Sequence, residues 1–177
     1  MDILVSSNLE RLLYCMSGCN DAETKGYMDL LKSEGVYTVS TKIKEKLQSM
    51  FWGGYADEDA TKRTIHDLFE QQGYLCDTHT AVAVSVCDAY IRESGDPTPV
   101  VIASTTSPYK FSKAVLSALD KGKMPESEFD MVEQLHEITG AEVPAPLASL
   151  KGKKARFGDV TDKEDMQSVV FGALGIK

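Results

Sequence analysis

Residues 99–108 read PVVIASTTSP, an uncharged run rich in β-branched side chains that leads directly into a turn of hydroxyl-bearing residues. Such a run is typical of a strand that is buried on both faces of a parallel sheet. A stretch with helical spacing, residues 111–119, follows at once. This succession predicts a central parallel strand, a tight turn and a helix, which is the repeating unit of an α/β fold.

The rest of the chain alternates between strand-like and helix-like stretches in the same way. Shorter strands are predicted at residues 2–5 and 35–39, where β-branched and aromatic side chains cluster. Apolar spacing predicts further helices over residues 9–16, 22–34, 42–50, 57–71, 81–92, 127–138 and 165–174. We therefore predict a single α/β domain covering residues 1–177, with a mostly parallel sheet and flanking helices in three layers.

Two local patterns make sharper predictions. The helix at residues 81–92 is small and apolar on most sides, which predicts that it is buried. Residues 161–164 read TDKE, which has the form of a capping box ahead of the last helix.

Composition limits the classes of partner. The net charge of −8 disfavours nucleic acid, and the basic stretch at residues 151–156 is interpreted as a solvated loop. No apolar run approaches the length of a membrane-spanning helix, so no membrane partner is expected. The four cysteines follow a start, Met1-Asp2, that lacks an apolar leader, which predicts reduced thiols and a cytoplasmic location. Cys15 and Cys19 have no second ligand pair at zinc-site spacing, so no metal is expected.

Three polar turns are candidates for ligand binding. They are Ser6-Ser7-Asn8, residues 77–80 (DTHT) and residues 104–107 (STTS). Ligands of parallel sheets bind beyond the carboxyl ends of the strands, where helix N-termini attract anions such as phosphate. The same residue types are also the preferred helix N-caps, so capping alone is the ordinary alternative for each turn. Asp77 could orient His79, and a structural hydrogen bond is again the plainer interpretation.

Three segments of the chain resemble threonine synthases of the larger subclass. The segments are MDILVSSNLERLL (residues 1–13), DTHTAV (residues 77–82) and STTSPYKF (residues 104–111). The family reads much like MDILVSSN-ERLL, D-HTAV and ST-x-x-P-x-KF, in this order and at similar separations. The likeness is strong to about residue 119, looser over residues 124–154 and weak in the last helix.

The resemblance implies a pyridoxal-phosphate (PLP) enzyme of fold type II, similar to tryptophan synthase β chains. Members convert O-phospho-L-homoserine and water to L-threonine and phosphate. Their Schiff-base lysine and their glycine-rich phosphate loop precede the region that is similar here, and neither element is found in these 177 residues. Lys110 belongs to the ST-x-x-P-x-KF motif and is not that lysine. The chain is thus interpreted as the C-terminal portion of the large, PLP-binding domain, without the N-terminal lysine-bearing part and without a catalytic residue of its own.

The resemblance also implies roles for individual residues. Thr105 is expected to hydrogen-bond the pyridine nitrogen of PLP, with Ser104 or Thr106 as alternatives if the register differs by one. Substrate binding is expected of Ser6, Ser7, Asn8 and Arg11, whereas Asp77 and His79 are expected to shape the site.

Several consequences follow for the chain as it stands. We expect it to be inactive alone, with no covalently bound PLP, and to self-associate through apolar surface that its missing half would cover. One alternative is a stand-alone binding or regulatory module that holds a phosphorylated amino acid. Another is a complementing subunit whose lysine-bearing half is encoded separately.

Overall fold

The computed structural model of the chain describes residues 5–120, 122–156 and 158–176. The predicted strand at residues 2–5 lies outside these residues, apart from Val5. The described residues form nine α-helices: α1 Ser7–Met16, α2 Asp21–Glu34, α3 Thr41–Met50, α4 Glu58–Gln72, α5 Thr78–Ser94, α6 Ser112–Leu119, α7 Glu128–Thr139, α8 Ala145–Ala148 and α9 Met166–Leu174. Two 3₁₀ helices, Pro108–Phe111 and Lys163–Asp165, precede α6 and α9.

Local capping explains where several helices begin and end. The Ser6 hydroxyl accepts a hydrogen bond from the Leu9 N–H (3.3 Å) and the Asn20 side chain accepts one from the Glu23 N–H (3.1 Å), so α1 and α2 each have a side-chain N-cap. Gly35 ends α2 in the left-handed region, at φ 75°, which a glycine adopts without strain. The predicted bounds of these helices are confirmed to within two residues.

The chain divides into two compact units. Unit 1 comprises Met1–Thr64 and His79–Ala103, and unit 2 comprises Ile65–Thr78 and Ser104–Lys177.

The core of unit 1 is formed by the first three helices. Leu13 of α1, Tyr27 of α2 and Ile43 of α3 are buried together. Tyr27 also donates a hydrogen bond to Glu23 Oε1 (2.7 Å) and accepts one from the Ser40 N–H (3.0 Å). One aromatic side chain therefore fills the core with its ring and ties the start of α3 to α2 with its hydroxyl.

The core of unit 2 is centred on α6 and α7. Val115, Leu116 and Leu135 are almost completely buried, and α6 packs against α7. The Asp120 carboxylate, which follows α6, accepts a hydrogen bond from the Gln134 side-chain amide of α7 (2.8 Å). The pair joins the two helices at the polar edge of their interface.

The predicted mostly parallel sheet, and with it the three-layer α/β arrangement, is not found. The described residues form helices and irregular segments and contain no strand. The segments predicted as strands at residues 35–39 and 99–103 make no backbone ladder with any described residue. A strand exists only when a neighbouring strand supplies donors and acceptors, and this part of the chain offers none.

Two local predictions are also wrong. Although Ala81 of α5 is buried, Ala83 and Ile91 are exposed, so the helix is covered only in part. The TDKE pattern forms no capping box, because Asp162 precedes the 3₁₀ helix Lys163–Asp165 without a side-chain capping bond. Within residues 5–120, 122–156 and 158–176, none of the helices is both long and apolar enough to cross a membrane.

Candidate functional site

The predicted substrate residues form the first turn of α1 in unit 1. Ser6 is the N-cap, and Ser7 and Asn8 are the first two helical residues. Asn8 Oδ1 accepts a hydrogen bond from the Arg11 guanidinium one turn later. Ser6 accepts the Leu9 N–H of this turn, and the exposed side chains of Asn8 and Arg11 lie beside the N-terminal end of the helix. Donors and a cation at this end of a helix suit an anion such as a phosphate.

The predicted site-shaping residues flank the start of α5 and differ in burial. Asp77, in unit 2, is completely buried and directly precedes α5, whereas His79, in unit 1, is exposed in its first turn. The neighbouring Cys76 is buried as well. Burial, and then the charge of Asp77, raises the pKa of Cys76 to about 11, so the thiol stays protonated at neutral pH and is a poor nucleophile.

The predicted cofactor residue lies in a turn that a neighbouring tyrosine anchors in unit 2. Thr105 is exposed. Two residues later, the Ser107 hydroxyl accepts a hydrogen bond from the Tyr109 N–H (3.3 Å) and caps the 3₁₀ helix. Tyr109 is buried and donates to the Ala141 carbonyl (2.6 Å), which ties the 3₁₀ helix to the segment that follows α7. The turn thus presents an accessible threonine hydroxyl next to a fixed element.

The residues present fit PLP in part. The exposed hydroxyl of Thr105 is a neutral hydrogen-bonding group of the kind that can face a pyridine nitrogen. The lysine of the same motif, Lys110, is exposed, with its amino nitrogen 5.6 Å from the centre of the Phe111 ring. No group of three or more His, Cys, Asp or Glu side chains capable of holding a metal occurs in the part of the chain that the structure describes.

Sequence reasoning missed an apolar groove in unit 1. The groove has a volume of about 540 Å³, and its ten lining residues are all uncharged. Its lining includes Trp52 and Tyr90, whose ring centroids are 5.7 Å apart, together with Val100 and Val101. Val101 is 95% exposed. The aromatic stretch at residues 51–55 and the β-branched stretch at residues 99–103 were visible separately, but only the fold places them in one groove.

Comparison with known proteins identifies the family. The family model described as threonine synthase, C-terminal, matches residues 80–170, which is more than half of the chain and includes Thr105. Human threonine synthase-like 1 is 34% identical over 119 residues, which cover 67% of this chain and 16% of that protein.

Two solved structures are similar as well. The yeast threonine synthase structure gives a TM-score of 0.72 at 27% identity and covers 99% of this chain and 35% of its own. A PLP-bound threonine synthase from Brucella melitensis gives a TM-score of 0.59 at 36% identity and covers 75% of this chain and 28% of its own. The chain therefore spans about a third or less of these relatives. By the match over residues 80–170, the chain belongs to the threonine synthase family and corresponds to the C-terminal part of its members.

Proposed function

We propose that this chain is the C-terminal portion of the PLP-binding domain of a fold-type II threonine synthase and forms one wall of its active site. A lysine-bearing N-terminal portion supplies the other wall. The complete site converts O-phospho-L-homoserine and water to L-threonine and phosphate in the cytoplasm. PLP, when bound, supplies an electron sink for the reaction, while this chain binds and orients.

The observation that carries the proposal is the match of residues 80–170 to the C-terminal family model, together with the yeast match, which covers 99% of this chain but 35% of that enzyme. Nearly every residue of this chain has a counterpart in the yeast enzyme, whereas most residues of the yeast enzyme have no counterpart in this chain. Such one-sided coverage supports a chain that needs a companion portion for activity.

The proposed roles of the residues follow from their chemistry. Thr105 accepts or donates a hydrogen bond at the pyridine nitrogen of PLP and places no full charge there. The first turn of α1, with Arg11 one turn along, binds the phosphate of the substrate through backbone donors and a guanidinium. Asp77 is buried directly before α5 and fixes the start of that helix, on which His79 lies.

The alternative of a stand-alone module that only binds a phosphorylated amino acid is not favoured. The compared proteins are threonine synthases or threonine synthase-like proteins, and each is several times longer than the matched region. A complementing portion of an enzyme fits this pattern better than an independent binding domain does.

The test is growth complementation in a threonine-requiring strain that lacks threonine synthase. The full chain is expressed alone and together with the N-terminal part of the yeast enzyme, the part without a counterpart in this chain. We expect growth without threonine only when both are present. Growth with this chain alone would contradict the proposal, as would failure of the pair when both proteins are folded.

Thr105→Val in the complementing pair tests the cofactor role. It should lower threonine formation on the order of tenfold or more, because it removes a positioned polar group from the cofactor. The matched control is Thr161→Val, another exposed threonine of unit 2, which should have the activity of the wild type. The free energy of unfolding of each variant should match that of the wild type within about 0.5 kcal/mol, because both side chains are exposed. Equal activity of the Thr105 variant and the control would remove this role from Thr105.

A further inference from the structure

We propose that Tyr109 is a positioning residue for the reaction: its hydroxyl, bonded to the Ala141 carbonyl, fixes the turn that carries Thr105. This inference rests on the proposed function, because it takes Thr105 as the residue that meets the pyridine nitrogen of PLP. It adds a buried residue that acts through Thr105. The motif ST-x-x-P-x-KF leaves position 109 open, so the resemblance itself gives Tyr109 no role.

The first observation is the backbone between Thr105 and Tyr109. The Tyr109 N–H donates to the Ser107 hydroxyl (3.3 Å), and the Lys110 N–H donates to the Ser107 carbonyl (3.0 Å). Pro108 begins the 3₁₀ helix, and its ring fixes φ at that position. Ser107 and Tyr109 therefore belong to one short, rigid turn, and Thr105 lies two residues before it. A displacement of Tyr109 moves Ser107 and, with it, the segment that holds Thr105.

The second observation is the way in which Tyr109 is held. Its side chain is 5% exposed, and its hydroxyl donates to the Ala141 carbonyl (2.6 Å). Burial raises the pKa of the Tyr109 hydroxyl, so the group stays protonated and remains a donor at neutral pH. The carbonyl of Tyr109 accepts a hydrogen bond from the Ser112 hydroxyl (2.7 Å) at the start of α6. Tyr109 is thus bonded through its N–H, its carbonyl and its hydroxyl.

The third observation is that the acceptor is fixed as well. Ala141 follows Gly140, which ends α7 at φ 66°. The Ala141 N–H donates to the Thr139 hydroxyl (3.2 Å), and that hydroxyl donates to the Leu135 carbonyl (2.7 Å). Leu135 is completely buried. The Ala141 carbonyl therefore has a fixed place relative to the core of unit 2, and Tyr109 connects the turn to that core.

The Ala141 carbonyl has a second donor, which makes the role of Tyr109 testable. His136 Nδ1 lies 2.7 Å from the same oxygen, and the tautomer protonated at Nδ1 donates to it. Loss of the tyrosine hydroxyl therefore leaves this carbonyl with a partner and spares the fold the cost of an orphaned acceptor. Tyr109 belongs to the turn of Thr105, whereas His136 belongs to α7. Tyr109→Phe and His136→Ala each remove one donor from one oxygen, and only the first releases the turn.

Position matters at Thr105 because a hydrogen bond depends on distance and direction. A misplacement of about 1 Å can lower a rate by about a hundredfold. Thr105 is exposed, so packing around its own side chain constrains it little. The neighbouring backbone must provide the support, and the turn anchored by Tyr109 is part of that backbone.

The first measurement uses the full chain without cofactor. Hydrogen–deuterium exchange is compared for the wild type, Tyr109→Phe and His136→Ala, and circular dichroism checks that each is folded. We expect Tyr109→Phe to speed exchange over residues 104–111 by about fivefold or more, with α7 unchanged, because the lost bond acts locally. His136→Ala should exchange like the wild type over residues 104–111. Unchanged exchange there in Tyr109→Phe, or an equal increase throughout α7, would leave the hydroxyl with at most a general structural role and overturn the inference.

The second measurement uses the complementing pair with added PLP. Tyr109→Phe should lower kcat about fivefold or more and change KM for O-phospho-L-homoserine by less than about twofold, because α1 is the proposed substrate site. It should also shift the absorbance maximum of bound PLP in the same direction as Thr105→Val does. His136→Ala should match the wild type in kcat, KM and absorbance.

A double variant tests whether Tyr109 acts through Thr105. In the Thr105→Val background, Tyr109→Phe should lower kcat no further, because the hydroxyl that it positions is already absent. Losses that multiply in the double variant would show that the two residues act independently and would overturn the inference. If Thr105→Val lowers activity and Tyr109→Phe does not, Tyr109 has no positioning role and the proposed function stands. If Thr105→Val has wild-type activity, or if the wild-type pair is inactive, the proposed role of Thr105 fails and this inference fails with it.

Discussion

The packing of Gly54 against Trp52 and Val86, two residues that line the groove of unit 1, gives a prediction whose size follows from the structure. A Cβ atom added at Gly54 would lie 3.0 Å from Trp52 Cζ3 and 3.1 Å from Val86 Cγ1. Both separations are shorter than ordinary van der Waals contact. At the adjacent Gly53 an added Cβ would have no neighbour within 4 Å, and neither glycine has a positive φ. Gly54→Ala and Gly53→Ala are thus the same substitution with and without a steric clash.

The expected magnitudes combine two effects. Either substitution restricts the unfolded chain and by this effect alone stabilises the protein by about 0.4–1 kcal/mol. At Gly54, overpacking opposes this gain and costs about 1–3 kcal/mol. The indole of Trp52 is 43% exposed and can turn away, but Val86 is β-branched and stiff at χ1, so part of the clash remains. We expect Gly54→Ala to be less stable than Gly53→Ala by about 1–3 kcal/mol.

Urea unfolding followed by fluorescence measures this difference. Trp52 is the single tryptophan of the chain and lies in unit 1, so its emission reports the unfolding of that unit. Circular dichroism follows the helices of both units in parallel, which is needed because two units need not unfold in one step. Only Gly54→Ala should shift the native emission maximum, since only there must the indole move.

Equal unfolding free energies for the two alanine variants, with the same native emission, would refute the described packing of Trp52 and Val86 around Gly54. A loss of stability in Gly53→Ala would also contradict it, because that position is open.

Three further predictions concern single side chains. Tyr27→Phe should lower the free energy of unfolding by about 1–2 kcal/mol in urea titrations, because it removes two hydrogen bonds and keeps the buried ring, whereas the 90% exposed Tyr55→Phe should change nothing measurable. Hydrogen bonds from the Thr98 hydroxyl, the Tyr90 hydroxyl and the Thr98 N–H lower the pKa of Asp96 to about 2. The stabilisation of the folded state by this carboxylate is present above the ordinary pKa of 3.8 and is lost as the pH falls through about 2. The urea midpoint of Asp96→Asn should therefore lie below that of the wild type at pH 5 and approach it toward pH 2. A difference between the two midpoints that stays constant over this pH range would contradict this origin. With a thiol reagent at pH 8, the exposed Cys15 should react quickly in the native protein and Cys76 only after unfolding, since burial holds the Cys76 pKa at about 11. Peptide mapping identifies the labelled cysteine. Rapid labelling of Cys76 in the native protein would contradict the described burial.

The helices and their ends could be read from the residues because their causes are local. An N-cap such as Ser6 acts on an N–H three residues away, and Gly35 ends its helix through its own backbone conformation. A capping box needs two reciprocal contacts, and the TDKE sequence predicted one that the structure does not form. The resemblance at residues 1–13, 77–82 and 104–111 likewise identified the family, because the order of these three motifs is a property of the sequence alone.

What the sequence by itself determined, then, is the helical framework, the family and the candidate residues. Tertiary structure decided whether the strand-like segments form strands. Residues 99–103 are predicted as a central strand because their side chains suit one, but the backbone bonds of a strand come from a neighbour far away in sequence or in another chain. The groove likewise depends on bringing Trp52, Tyr90 and Val101 together, which no local pattern specifies. Hydrogen bonds within a helix join residues four apart in the sequence, whereas a strand forms its hydrogen bonds only with a second segment, which the local sequence does not specify.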